Sequence, residues 1–130
     1  MKLLKYFLLG DVQHKDGQMI VSGRCGEGRL SVGDAFNIKF RFVPRKYPEE
    51  MGNTAQVEAA WPINLRIVRI EMYGKDRPHI DPVDTGVLCL EGRVEIEHGW
   101  DLGFECTHEN KKSCPGEEWC EDCGETLWRD

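Results

Sequence analysis

The residues of this sequence most able to do chemistry are four cysteines crowded into its C-terminal part, with one histidine among them. They are Cys106, His108, Cys114, Cys120 and Cys123. Structural zinc is held tetrahedrally by four sulfur or nitrogen ligands. In a chain without an export signal, such a cluster indicates metal binding before it indicates disulfides. We therefore predict a structural Zn²⁺ ion bound by the four cysteines, with His108 able to replace Cys106 or Cys114.

Two other states of these cysteines remain open at this stage, namely disulfides and unligated thiols. A redox role for Cys120 and Cys123, which have the C-x-x-C spacing, would need a thioredoxin-like βαβ frame. The sequence shows no pattern for such a frame.

Charge is divided unevenly along the chain. Residues 1–90 contain 13 Lys or Arg and 11 Asp or Glu, whereas residues 91–130 contain 4 and 12. A strongly acidic segment repels phosphate backbones. We therefore predict that residues 104–130 form an acidic, cysteine-rich tail with a zinc knuckle, and that this tail does not itself bind nucleic acid.

The N-terminal run MKLLKYFLLG is apolar but carries Lys5 in its middle, and no small-residue cleavage site follows it. It lacks the features of a signal peptide. No stretch approaches the roughly 20 apolar residues that span a bilayer. We expect a cytoplasmic protein that does not enter a membrane.

The rest of the sequence has the period of β-strands. Side chains alternate between apolar and polar along Ala35–Val43, and Asp16-Gly17 is a strong hairpin signal. Many short strands separated by glycine-rich turns are typical of a barrel or sandwich. The pattern breaks down over residues 44–62, where we expect a long loop with a helical turn within Thr54–Ala60.

The order of the turn and strand signals resembles the second, β-barrel domain of elongation factor Tu and related translational GTPases. That family reads "GRV-x-x-G", an apolar pair, "VGD", "IEMF", "GLxLRG" and "I-x-x-G-x-x-L" in this order. The corresponding segments here are Gly23–Gly28, Val32–Asp34, Ile70–Tyr73, Gly86–Gly92 and Ile96–Leu102. The resemblance implies an all-β fold, with a single small closed β-barrel over residues 1–103 and the cysteine-rich extension over residues 104–130.

The chain also departs from that family. It contains no G-x-x-x-x-G-K-[ST] loop to cradle phosphates, so we predict neither GTP binding nor GTPase activity. In the full factors the second domain helps to hold the acceptor end of charged transfer RNA. The sequence offers no matching pocket residues that would carry this role over.

A basic stripe with flanking aromatic residues is the candidate partner-binding surface. It comprises Lys39, Arg41, Arg45, Lys46, Tyr47 and Trp61. A solvated strand face is the ordinary explanation for such a stripe. A surface for an acidic partner or for RNA is the functional one.

No nucleophile, base and orienting group can be assembled from this sequence, so we expect a protein that is not an enzyme. The leading hypothesis is a binding module that recognises a protein partner, for example as an inhibitor or immunity protein. The first alternative is a protein that binds RNA or another translation component. The second is a small enzyme of unknown reaction.

Overall fold

The computed structural model describes residues 3–42, 57–122 and 126–129. Within these ranges every regular element is a β-strand, which confirms the all-β prediction. None of the described residues forms a helix able to cross a membrane. Six strands build the main sheet: β1 (Leu3–Lys15), β2 (Gln18–Glu27), β4 (Ala35–Phe42), β5 (Val57–Met72), β8 (Thr85–Glu91) and β9 (Asp101–Glu105).

This sheet closes on itself, as the family resemblance implies. Its strands run in the order β4, β9, β1, β2, β8, β5, and β4 pairs with β5 as well. All neighbours are antiparallel. Smaller elements extend the barrel: β6 (Lys75–Arg77) continues from β5, while β3 (Leu30–Ser31) pairs with β7 (His79–Ile80).

Two hairpins of the barrel turn through consecutive residues in left-handed backbone. Asp16 and Gly17 have φ values of 51° and 77°, and Tyr73 and Gly74 have φ values of 53° and 75°. Two-residue hairpin turns need positive φ at both central positions, where Asn, Asp and Gly are favoured. The predicted Asp16-Gly17 turn is thus confirmed, whereas Tyr73 is an unusual residue for the same type of position.

The interior of the barrel is filled by side chains from all six strands. The alternation predicted for β4 is confirmed, since Phe36, Ile38 and Phe40 are buried. Val94 and Ile96, from the segment between β8 and β9, pack against the same core. The buried core residues are Phe7, Met19, Val21, Cys25, Leu30, Phe36, Leu65, Ile67, Ile70, Ile80, Leu88, Leu90 and Leu102.

The predicted loop over residues 44–62 is wrong where the structure describes it. Residues 57–62 belong to β5, and Val57 to Pro62 pair with Phe42 to Ile38 of β4. Because Pro62 and two alanines conceal the strand pattern, the pairing with β4 decides the conformation rather than local propensity. The helical turn expected within Thr54–Ala60 is likewise wrong over residues 57–60, which are strand, and residues 44–56 lie outside the described residues.

A separate three-stranded sheet follows the barrel. It consists of β10 (Lys111–Cys114), β11 (Glu117–Cys120) and β12 (Thr126–Arg129). The boundary that we predicted after residue 103 lies inside β9, which continues to Glu105. The first tail cysteine, Cys106, therefore follows directly on a barrel strand.

Substitution of Gly23 tests the close approach of β1 and β2. A Cβ atom at Gly23 would collide with the carbonyl oxygen of Leu8 and approach the Phe7 ring to 3.0 Å. Because a backbone atom cannot move away as a side chain does, we expect Gly23→Ala to lower the free energy of unfolding by about 1–3 kcal/mol. In the control Gly10→Ala, the added Cβ lies 3.4 Å from the Ser22 oxygen, and urea unfolding should change by less than about 0.5 kcal/mol.

Cys25 makes stability depend on alkaline pH. Burial, followed by the negative charges of Asp81 and Asp84, raises the pKa of its thiol from 9.0 to about 11. The unfolded chain loses the thiol proton at lower pH than the folded chain does. The contribution of the protonated Cys25 thiol to stability is therefore complete below about pH 9 and is lost as the pH rises towards about 11. We expect the free energy of unfolding to fall more steeply over this range in the native protein than in Cys25→Ala, measured in reductant. Equal slopes would contradict the assignment.

Candidate metal centre and binding groove

Three of the predicted metal ligands come together where the barrel meets the tail sheet. Cys106 follows β9, Cys120 ends β11, and His108 lies in the connection between β9 and β10. One ligand atom from each lies within 4.8 Å of the others. The two sulfur atoms are 3.4 Å apart, and the backbone N–H of His108 donates to the Cys106 sulfur at 3.4 Å. Cys106 and Cys120 are buried.

The donors in this cluster fit a zinc ion. A tetrahedral ion with Zn–S bonds of about 2.3 Å places two sulfur ligands about 3.8 Å apart, close to the observed 3.4 Å. A disulfide would need about 2.05 Å. Two thiolates and an imidazole suit zinc, whereas magnesium and calcium prefer oxygen ligands. The described residues therefore include a Cys-His-Cys group that could hold a metal ion.

Of the other two predicted ligands, the structure describes only Cys114. Cys114 is exposed at the end of β10, opposite Glu117 in β11, and does not belong to the group formed by Cys106, His108 and Cys120. Cys123 lies outside the described residues. The connection between β9 and β10 thus brings His108 to the cluster and leaves Cys114 on the surface of the tail sheet.

An open groove with a volume of about 560 Å³ runs across the outside of the barrel. It crosses β1, β2, β8 and the turn between β5 and β6. Among the described residues that line it, only Arg24 and Glu71 are charged, and the others are mostly apolar side chains or glycine. The lining residues are Leu8, Leu9, Gly10, Ser22, Gly23, Arg24, Glu71, Tyr73, Gly74, Thr85, Gly86 and Val87.

The register of the strands explains why this groove exists. Gly23 lies directly opposite Gly86 across β2 and β8, and Leu9 lies opposite Gly23 on the β1 side. A register shift between Leu9 and Asp11 places Gly10 in a bulge of β1. Because Gly10, Gly23 and Gly86 have no side chains, strand backbone forms part of the groove wall at these positions.

A partly buried carboxyl group holds the β1 side of the groove in place. The backbone N–H of Leu9 donates to Oδ1 of Asp101, in β9, at 2.8 Å. Burial raises the pKa of Asp101, and the hydrogen bond from Leu9 partly offsets this effect. The bond ties the groove to a strand on the opposite side of β1.

Tyr73 lies at the edge of the groove. Its side chain is 87 % exposed, and its φ of 53° is unfavourable for an aromatic residue. A residue that is both strained and exposed adds little to the stability of the fold. Such positions are typical of binding sites, where a function maintains the residue despite its cost.

The part of the predicted basic stripe that the structure describes is paired with acids. The ammonium group of Lys39 lies 3.3 Å from the carboxylate of Glu97, and the guanidinium of Arg41 lies 2.9 Å from that of Glu58. A hydrogen bond to its own backbone, followed by the one from Lys39, lowers the pKa of Glu97. These pairs reduce the positive potential that a phosphate ligand would need.

The aromatic side of the stripe is more accessible than its charges. Trp61, in β5, pairs with Lys39 of β4 and is 61 % exposed. Trp100 lies beneath Lys39 and Arg41. The Lys39 Nζ atom is 5.3 Å from the centre of the Trp100 ring, and the Arg41 Cζ atom is 5.2 Å from it. The sequence gave no reason to select Trp100. The remaining members of the stripe, Arg45, Lys46 and Tyr47, lie outside the described residues.

Sequence comparisons find no relatives. No protein-family model matches this chain, and no curated protein matches it. The order of short motifs is therefore the only sequence-level link to a known family.

Solved structures do match the fold. Translation elongation factor SelB from Methanococcus maripaludis matches in its apo form with a TM-score of 0.55 and 14 % identity, and in complex with the GTP analogue GppNHp with 0.53 and 15 %. Each match covers 83 % of this chain and 20 % of the SelB chain. The chain thus spans about a fifth of the length of these factors, and the closed six-stranded barrel is of the kind found as the second domain of elongation factor Tu.

Proposed function

We propose that this chain is a non-catalytic binding module of the translation apparatus, and that its groove holds an apolar segment of a protein in the ribosomal fraction. The likeness of the barrel to part of a translation elongation factor supports a role in the translation apparatus. The groove supports the mode of binding, because ligand sites are concave and mostly apolar with few polar groups.

The observation that carries the proposal is Tyr73. A tyrosine in a turn position that favours Asn or Gly costs stability, and here its ring projects almost fully into solvent beside the groove. Tyrosine is among the side chains most enriched at the energetic centres of protein interfaces. A contact made by this ring explains why the position holds Tyr.

Charge favours a protein partner over RNA. The net charge of the chain is −6, and the groove offers one basic residue, Arg24, beside the acidic Glu71. Phosphate backbones are bound by clusters of Lys and Arg. A basic protein segment with apolar side chains is therefore the better match.

Co-sedimentation with ribosomes tests this function. We expect the native chain to sediment with the ribosomal fraction at low salt, and Tyr73→Asn to weaken this binding about tenfold or more through loss of an interface contact. Because Asn is favoured at this turn position, the same variant should melt at an equal or higher temperature. Loss of binding together with a gain in stability would separate a functional role from a structural one.

The matched control is Asp16→Asn at the other turn of this kind, which does not line the groove. It should bind as the native chain does. Failure of the native chain to sediment with ribosomes contradicts the proposal. If deproteinised ribosomal RNA displaces the chain from ribosomes, the chain binds RNA rather than a ribosomal protein.

We further propose that the metal centre holds Zn²⁺ and orders the tail. Cys106, His108 and Cys120 supply three ligands, and the C-x-x-C spacing to Cys120 makes Cys123 the candidate for the fourth. In the cytoplasm, where we expect this protein to work, thiols stay reduced and available to metal. Cys114 is then not needed.

The tail needs such an ion because its own core is small. Leu127 is the only Val, Ile or Leu among residues 104–130. Ordering the backbone costs about 1–2 kcal/mol per residue, whereas zinc binding supplies about 10–16 kcal/mol in small zinc peptides. Since Cys106 adjoins β9 and Cys120 ends β11, the ion would also fix the tail sheet to the barrel.

Metal analysis of single variants tests this assignment. We expect about one zinc ion per native chain, the same content in Cys114→Ser, and loss of zinc in Cys120→Ser. Chelation should open the tail to protease while the barrel continues to melt cooperatively. Native protein without zinc refutes the metal site, and loss of zinc in Cys114→Ser would restore Cys114 as a ligand in place of His108.

A further inference from the structure

A valine occupies a turn position that normally requires glycine. In the turn from Asp81 to Asp84, the backbone N–H of Asp84 donates to the carbonyl oxygen of Asp81 at 3.1 Å. The second residue, Pro82, has its φ fixed at about −65° by its ring, and the third, Val83, has a φ of 66°. This combination is that of a type II turn, whose third position favours Gly or Asn. A β-branched residue in left-handed backbone is a genuine outlier.

A second turn in the chain has the residue that this backbone favours. Between Ser31 and Asp34 the same type of hydrogen bond forms, from the N–H of Asp34 to the carbonyl oxygen of Ser31, at 3.0 Å. The third residue there is Gly33, with a φ of 99°. Glycine adopts positive φ without a steric cost, whereas valine does not. The turn itself therefore gives no reason for a valine at position 83.

Backbone pairing holds Val83 in this conformation. Its N–H donates to the carbonyl oxygen of Cys25 at 2.8 Å, and the N–H of Cys25 donates to the carbonyl oxygen of Asp84 at 2.9 Å. These bonds continue the ladder of β2 and β8 beyond its last pair, Arg24 and Thr85. The side chain of Val83 adds little to the core, because it is 66 % exposed. Strain of this kind is typical of functional sites, where the surrounding structure maintains it.

Val83 lies near the end of the groove that Tyr73 borders. Both Tyr73 and Thr85, which is two residues after Val83, line the groove. Glu71 pairs with Val87 in the antiparallel ladder of β5 and β8. Tyr73, two residues after Glu71, therefore comes level with Thr85. Near this end of β8 the protein thus presents two apolar side chains that are mostly exposed and lie in left-handed backbone.

We propose that Val83 is a second contact residue of the protein-binding surface, and that the partner segment held in the groove continues over residues 81–84 and packs an apolar side chain against it. The proposal rests on the function proposed above and extends the same site by one residue. A contact made by Val83 explains why a strained turn position holds an exposed aliphatic side chain.

The chemistry of the turn identifies the occupant as an apolar part of a protein. The side chain of Val83 ends in methyl groups, which neither donate nor accept hydrogen bonds and gain from contact with apolar surface. Burial, followed by the negative charges of Asp81 and Asp84, raises the pKa of the Cys25 thiol, so the turn has a negative potential. This potential remains although Arg29 pairs with Asp81, and it repels a phosphate backbone.

Ribosome co-sedimentation of variants at position 83 tests this contact on the intact chain. Val83→Asn removes the methyl groups and introduces a residue that the turn favours. We expect its melting temperature to be equal or higher and its ribosome binding to be weaker by about fivefold or more, through loss of an apolar contact. Val83→Ile keeps an aliphatic side chain and should bind as the native chain does.

A second exposed valine provides the matched control. Val32 is 47 % exposed, at the second position of the Ser31–Asp34 turn, and does not line the groove. Val32→Asn should therefore bind ribosomes as the native chain does. Equal weakening in Val32→Asn and Val83→Asn contradicts the proposal, since the loss would then not be specific to this site.

The outcomes separate this contact from the proposed function itself. If Tyr73→Asn weakens ribosome binding and Val83→Asn does not, the groove function stands and the second contact is wrong. If the native chain does not sediment with ribosomes, both are wrong. A lower melting temperature of Val83→Asn would show that the fold itself needs the valine, which also contradicts the proposal. Val83→Lys should bind more weakly than the native chain, and tighter binding would indicate a phosphate ligand and overturn the proposal.

Discussion

The pairing of β4 with β5 is the interaction on which the rest of the structure depends, because it converts an open sheet into a closed barrel. A six-stranded sheet that remained open would leave two long edges and an uncovered core. β5 can close the barrel because it is 16 residues long and strongly displaced along its neighbours. Its first half pairs with β4, and its second half pairs with β8 and β6.

The position of the candidate groove follows from this displacement. The second half of β5 ends at the Tyr73-Gly74 turn, which forms one side of the groove. The first half extends beyond the end of β8 and pairs with β4. The segment that returns from β8 to β9 packs Val94 and Ile96 against the core, and thereby brings the chain to Cys106. The candidate metal-binding group is thus positioned by a barrel strand as well as by the tail.

The sequence predicted the parts of the fold that depend on local pattern. The Asp16-Gly17 turn and the alternation along β4 could be recognised from neighbouring residues, whereas the closed barrel was implied by the resemblance to a known family. The start of β5 could not, because Pro62 and two alanines carry no strand signal and only the pairing with β4 makes them extended. The groove was also missed, since its lining comes from strands far apart in sequence. A tyrosine before Gly74, in a hairpin position that favours Asn, was the one local signal for it.

The metal ligands show the same division between local and distant information. The spacing of Cys120 and Cys123 predicts a zinc knuckle, and this stays a prediction because Cys123 lies outside the described residues. The choice between His108 and Cys114 depends on the path of the connection after β9, which residue spacing does not encode. In the structure that connection brings His108 to the two buried sulfur atoms and leaves Cys114 exposed.

The central claim is that the groove of this barrel holds a protein of the translation apparatus. It is tested most directly by placing the photoreactive residue benzoylphenylalanine at position 73 and irradiating the protein in an extract of its native cells. Because Tyr73 is 87 % exposed, the substitution should leave the barrel folded. The account predicts a crosslink to one ribosomal or ribosome-associated protein, with none from the same group placed at Asp16. A crosslink to RNA alone, or equal crosslinking from both positions, would contradict it.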